Sequence, residues 1–153
     1  MIAVLQRVNS ATVFADGELS GNIDRGLYIL LGVAKGDTEE DARLLSEKIA
    51  KLRIFSDENG KMNLSVADVD GEIMVVSNFT LNANYSHGNR PDYFASAAPA
   101  EANALYEYFK ELMKTKVKKL ASGVFGADMR TEMSTDGPVT IVMDSAVLKG
   151  GRK

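Results

Sequence analysis

Apolar residues recur along the chain with two periods. Residues 2–8 place the β-branched Ile2, Val4 and Val8 partly in alternation, which predicts a strand, and Ala-Thr-Val-Phe-Ala at 11–15 predicts a second. Asp16-Gly17 follows directly. Both central positions of a type I′ turn need positive φ, so residues 18–23 are expected to fold back as the other arm of a hairpin. Residues 26–34 (Gly-Leu-Tyr-Ile-Leu-Leu-Gly-Val-Ala) read as a strand buried on both faces.

The period then changes. Asp37-Thr38-Glu39-Glu40 resembles a capping box, with Asp37 as N-cap and Glu40 three residues on. Ala42, Leu45, Ile49 and Leu52 follow at helical spacing. Asn59-Gly60 marks a turn, and residues 73–79 (Ile-Met-Val-Val-Ser-Asn-Phe) form another strand signal. Residues 82–92 are polar and turn-rich and predict a loop. Pro99 suits the first turn of a second helix, whose apolar face is Ala102, Leu105, Phe109 and Leu112 with Tyr106 and Met113 alongside. Residues 117–125, 129–133 and 139–144 return to strand.

Many short strands and two well-separated helices, without repeat or linker, predict one α/β domain. The expected architecture is a mixed, mainly antiparallel sheet or partial barrel with two main helices packed on it. The domain is expected to span residues 1–145, leaving 146–153 as a C-terminal tail.

Composition narrows the chemistry more than the fold. With 153 residues, 45% hydrophobic and 25% charged, one soluble globular domain is the default. The longest apolar run, residues 27–34, is too short to cross a bilayer. Met1-Ile2-Ala3-Val4-Leu5-Gln6-Arg7 has neither a charged leader region nor a cleavage site, so a cytoplasmic location is expected. There is no Cys and a single His, His87. A structural zinc site needs four nitrogen or sulfur ligands, a Cys nucleophile is excluded, and any Ser-His-Asp triad must use His87. No cofactor and no metal is expected. The net charge of −3 disfavours coating a long nucleic acid, which requires many phosphate contacts.

Several segments carry chemical possibilities. Asp68-Val69-Asp70-Gly71-Glu72 lacks the acidic spacing of a calcium loop and reads as a solvated turn. No glycine-rich phosphate motif is present. Lys114, Lys116, Lys118 and Lys119 are either a solvated helix terminus, where cations suit the dipole, or a phosphate-contacting patch. His87 sits with Arg90 in the polar loop. Ser77-Asn78-Phe79-Thr80-Leu81-Asn82-Ala83 ends an apolar strand in hydroxyls and amides, where unpaired backbone N–H groups could receive an oxyanion. Thr135-Asp136-Gly137-Pro138-Val139-Thr140 is either an ordinary turn or a Gly-Pro step held in a special conformation.

At these last two segments the chain resembles the D-aminoacyl-tRNA deacylases, which remove D-amino acids from tRNA. That family carries Ser-Gln-Phe-Thr-Leu-x-Ala, matched by Ser77, Phe79, Thr80, Leu81 and Ala83. It also carries Asn-x-Gly-Pro-Val-Thr, matched by Gly137, Pro138, Val139 and Thr140. Gln6-Arg7-Val8 and Phe125-Gly126-Ala127-Asp128-Met129 agree as well, so the likeness covers residues 1–145 in order. Asn78 stands where the family has Gln, one methylene shorter. Thr135 replaces an Asn and offers no amide.

The resemblance implies a homodimer acting on the 3′ terminal adenosine end of aminoacyl-tRNA. Gly137 and Pro138 of one subunit would enter the other's site as a Gly-cis-Pro filter that rejects L-aminoacyl esters, with Arg7 locking their orientation. Glycine, lacking a side chain, would pass, making glycyl-tRNA a second substrate. Phe79, Phe125 and Met129 would line the adenosine pocket. Catalysis would come from the Ser77, Asn78, Phe79 and Thr80 segment, mainly through backbone groups, with help from the substrate's 2′-OH. Two other readings compete: a Ser/Thr esterase using Thr80 or Ser77 with His87, and a non-catalytic tRNA-binding module.

Overall fold

One long antiparallel pair organises the molecule, a computed structural model that describes residues 1–150. Strand β1 (Ile2–Ala15) pairs along its length with β8 (Met129–Asp144). On its other side β1 pairs first with β3 (Gly26–Gly32) and then with β2 (Glu18–Ile23), both antiparallel. Strand β6 (Glu72–Ser77) joins β3 in parallel, and β7 (Leu120–Ser122) joins β6 in parallel. The sheet then curls back on itself. The Ser20 hydroxyl donates to the Ser122 carbonyl at 2.8 Å, so β2 and β7 nearly meet. The mixed, mainly antiparallel partial barrel expected from the pattern is the one observed.

The helices α1 (Glu39–Lys51) and α2 (Pro99–Lys114) cover one face. Their Leu45, Ile49, Tyr106 and Phe109 pack on Leu5, Ile29, Ile73 and Val75 of the sheet. Inside the curl lies a second cluster, Val8, Val13, Ile23, Tyr28, Met74 and Val76. Strand β3 is buried on both faces because helices lie on one side and this inner cluster on the other.

Five expectations need correction. The break expected between residues 8 and 11 does not end a strand: Asn9 and Ser10 both face outward at a register shift, and β1 continues. The N-cap of α1 is Thr38, whose N–H donates to Asp41 at 2.8 Å, and Asp37 instead accepts the Ala34 N–H at 2.7 Å. On α2 the buried stripe centres on Tyr106, Phe109 and Met113, rotated from the Ala102–Leu105 side. On that side the Tyr106 hydroxyl donates to the Val75 carbonyl at 3.0 Å. The strand expected over 117–125 shrinks to β7, and that over 73–79 stops at Ser77.

The Asp16-Gly17 hairpin is as expected, with φ of +49° and +82°. Asn59-Gly60 turns a short hairpin of β4 (Phe55–Ser56) and β5 (Met62–Leu64) that the pattern did not predict. After β8 the chain makes a helical turn, α3 (Ser145–Leu148). There the Ser145 hydroxyl and the Lys149 ammonium both donate to Asp41, at 2.6 and 2.8 Å. Burial pushes the Asp41 carboxyl up, but bonds from Lys149, Ser145 and Thr38 outweigh it and hold the group below the usual carboxylate range. Of the expected tail, Gly151, Arg152 and Lys153 lie outside the described residues.

Candidate active site

Strand β6 enters the site as an apolar strand and leaves it as a tight polar turn. The N–H of Asn78 still donates to Leu31 at 2.8 Å, the last ladder bond, and a 3₁₀ turn (Phe79–Asn82) begins immediately. Asn78 caps that turn: its Oδ1 accepts the Thr80 N–H at 3.2 Å and the Thr80 hydroxyl at 2.5 Å. The backbone N–H can only donate, which identifies the facing amide atom as oxygen. The turn is fixed from below by Asn82, whose buried amide donates to Val33 at 3.0 Å. Gly32 lets β3 approach it closely, since a Cβ there would lie 2.9 Å from the Leu81 Cβ.

The first residue of a helical turn has no internal acceptor for its N–H. Phe79 is that residue, and no hydrogen bond within the described residues engages its N–H. The Thr80 N–H, expected to act beside it, is already given to Asn78. One backbone donor is therefore available here, not two.

Two cavities flank this turn. One of about 370 Å³ lies between the turn and the start of α2, walled by Phe79, Pro99, Tyr106 and Phe125. The other, about 330 Å³, lies on the inner side and is walled by Tyr28, Leu30, Met129 and Thr131. Ser77, Asn78, Phe79 and Gly126 border both. The segment 77–79 is thus a partition, with an apolar chamber on one side and a more polar one on the other.

Among the residues lining these cavities only Tyr28 and Tyr106 ionise. Burial pushes the Tyr28 hydroxyl up, opposed by its 2.9 Å bond to Thr131. Burial likewise pushes Tyr106 far up. Both remain protonated at neutral pH. Neither can serve as a general base, and the Thr80 hydroxyl faces an amide oxygen that cannot take its proton. What the site offers is a backbone donor, hydroxyls and apolar walls.

The Gly-Pro segment is elsewhere in the same chain. Gln6 pairs with Thr140 and Val8 with Thr135, so two steps along β1 span five along β8. Residues 136–139 are extruded from the ladder, with Gly137 and Pro138 exposed and their peptide bond cis. Buried Arg7 holds the base of this extrusion. Its Nε lies 3.0 Å from the Asp136 carboxylate, and its Nη1 donates to the Ile54 carbonyl at 2.7 Å. Of the two readings of residues 135–140, the Gly-Pro step in a special conformation is the one observed, at a register shift inside β8.

The expected residues therefore form two groups. Ser77, Asn78, Phe79, Phe125 and Met129 meet around the cavities, with Thr80 in the turn behind them. Arg7, Gly137 and Pro138 form a separate cluster and line neither cavity. His87 is exposed on the 82–92 loop and lines neither cavity. Lys114 and Lys119 pair with Glu111 at 2.6 Å and Glu72 at 3.4 Å. Sequence reasoning missed Tyr28, Thr131 and Tyr106 as wall residues. Only a tyrosine inside an otherwise aliphatic run hinted at the first. No group of three or more His, Cys, Asp or Glu is placed to hold a metal among the described residues.

The family model for D-Tyr-tRNA(Tyr) deacylase matches residues 4–144, which include both motifs. The chain belongs to the D-Tyr-tRNA(Tyr) deacylase family. Relatives in this deacylase family include the D-aminoacyl-tRNA deacylase of Caldicellulosiruptor saccharolyticus, 53% identical over 95% of this chain and 97% of that one. That of Dictyoglomus turgidum is 50% identical over 100% of this chain and 98% of its own. Among solved structures, a c-Myc DNA unwinding element binding protein superposes with a TM-score of 0.88 at 38% identity, covering 94% of this chain and 98% of that one. A probable eukaryotic D-amino acid tRNA deacylase superposes at 0.78 with 15% identity, over 93% and 97%; that likeness shows the deacylase fold alone.

Proposed function

We propose that this protein hydrolyses the ester bond of D-aminoacyl-tRNA, releasing the D-amino acid and tRNA. The observation that carries the reading is the partition at 77–79, a capped turn whose first residue, Phe79, borders both cavities and keeps its N–H unengaged among the described residues. The acyl carbonyl would sit at that donor, which would steady the oxyanion formed when water attacks. The apolar walls suit a base or an amino-acid ring. No general base lines the cavities, which accords with the help from the substrate's ribose 2′-OH that the family resemblance implies. Thr80 as nucleophile with His87 is disfavoured by the acceptor its hydroxyl faces.

The enantiomer filter is assigned to Gly137 and Pro138 on the family pattern. Their carbonyls would hold the substrate's amino group and leave no room for an L side chain, whereas glycine would pass. Backbone oxygens reject the wrong enantiomer more than they reward the right one. The pair lines neither cavity of its own chain, and β8 pairs only with β1, leaving its other edge unpaired among the described residues. Both features favour a homodimer in which each subunit offers its extrusion to the other's site. No helix of the described residues is long and apolar enough to cross a membrane, and a tRNA substrate favours the cytoplasm. The test is incubation of the purified protein with D-Tyr-tRNA and glycyl-tRNA. Release of both amino acids is expected; binding of tRNA without release would leave only a tRNA-binding module.

A further inference from the structure

Four exposed aromatic residues lie on the segment 79–94, which starts at the cavity wall. Phe79 is 59% exposed, Tyr85 81%, Tyr93 36% and Phe94 79%. Phe79 walls both cavities and meets Tyr93 edge to face, with ring centroids 5.1 Å apart. Tyr85 and Phe94 lie on the two sides of one short loop. That loop is tied at its neck. Asn84 and Asp92 exchange backbone bonds of 2.8 and 3.0 Å, and the Asn84 amide donates to the Asp92 carboxylate at 3.1 Å. The Asp92 carboxylate also accepts the Phe94 N–H at 3.2 Å, so the loop's one acid is committed inside it. Arg90 and His87 project from its tip, and exposed Lys35 lies beside it, its N–H donating to Ala95 at 2.9 Å.

We infer that this loop is a stacking platform for the unpaired nucleotides that precede the terminal adenosine of the tRNA. The inference rests on the proposed deacylase reading. A braced loop that keeps several rings in water, with cations around them and its carboxylate occupied, has the chemistry of a single-strand reader. Bases stack on the rings whatever their identity, and the cations meet the phosphates. Because Phe79 walls the cavity and Tyr93 stands against it, a strand whose last nucleoside enters the cavity would leave past these two rings toward the loop.

The test uses two substrates of the full chain: D-Tyr-tRNA, and 3′-O-(D-tyrosyl)adenosine, which has the ester and terminal nucleoside but no preceding nucleotides. Base–aromatic stacking measured by alanine substitution predicts that Tyr85→Ala and Phe94→Ala each lower kcat/KM on D-Tyr-tRNA by about 5- to 150-fold. Hydrolysis of the adenosine ester should be unchanged, and Tyr85→Phe should restore the tRNA rate. In parallel, the trinucleotide CCA should bind the wild type more tightly than adenosine monophosphate, and the alanine variants should lose that difference. Equal loss on both substrates, no loss on tRNA, or a change of oligomeric state in light scattering would overturn the inference; the last would mark the face as a contact between copies. A wild type that hydrolyses neither substrate would instead overturn the deacylase reading itself.

Discussion

Replacing Thr80 by Val removes one hydroxyl and keeps the shape of the side chain. In the structure that hydroxyl donates to Asn78 Oδ1, while the Thr80 N–H donates separately to the same oxygen at 3.2 Å. The variant therefore loses one exposed hydrogen bond and retains the cap. Such a bond is worth about 0.5–1.5 kcal/mol, and even if all of it is expressed in the transition state the rate falls by only about 2- to 12-fold. If Thr80 were the nucleophile, its removal would cost several orders of magnitude, on the scale of about 10⁶ seen when a hydrolase loses its nucleophile. Single-turnover deacylation of D-Tyr-tRNA, with circular dichroism to confirm the fold, separates the two outcomes. A loss beyond about 10³ in a folded variant would refute the argument that the Thr80 proton has nowhere useful to go.

Three further perturbations follow from the same geometry. Gly32→Ala pushes a Cβ to 2.9 Å from the Leu81 Cβ and 3.1 Å from the Asn78 carbonyl, so the capped turn must shift. Overpacking of this kind costs about 1–3 kcal/mol, and deacylation should fall more than thermal stability; an unaffected rate would show that the turn's position is not critical. Arg7→Met leaves the Ile54 carbonyl and the Asp136 carboxylate without their partner. Losing such a buried donor costs about 1–3 kcal/mol, and release of the 136–139 extrusion should narrow the ratio of D to L hydrolysis; an unchanged ratio would separate Arg7 from selectivity. Asp41 has a folded carboxyl held below its unfolded value, so its stabilisation is present above about pH 4 and disappears as pH falls below that. The thermal midpoint should therefore drop in acid, and Asp41→Asn should flatten that limb; identical acid profiles would contradict the assignment.

The fold was legible wherever a single period ran uninterrupted. Residues 26–34 and the Asp16-Gly17 turn show this, because burial on two faces and positive φ each leave a plain local signature. Errors arose where tertiary partners overrode local pattern. Asn9-Ser10 looks like a break until β8 is present to continue the ladder across a bulge. Tyr106 sits at the centre of the buried stripe of α2, its hydroxyl on the Val75 carbonyl, a partner that helical spacing does not reveal. The site was legible as motifs, and the two motifs do lie in structured, non-repetitive backbone. Periodicity and spacing could not supply their separation, which only the family resemblance implied. Nothing local says that Gly137 and Pro138 line neither cavity beside Phe79, or that Asn78 consumes the Thr80 N–H. Side-chain walls such as Tyr28 and Thr131 come from β3 and β8, strands far apart in the chain, and no spacing rule joins them.

A site with few ionisable groups of its own is proposed to hydrolyse the ester and to distinguish the hand of the amino acid. The decisive measurement follows ester loss from D-Tyr-tRNA and L-Tyr-tRNA with the same purified protein under the same conditions. Rapid loss of the D ester is expected, with the L ester decaying no faster than in buffer alone. Equal rates for the two would refute the proposed filter.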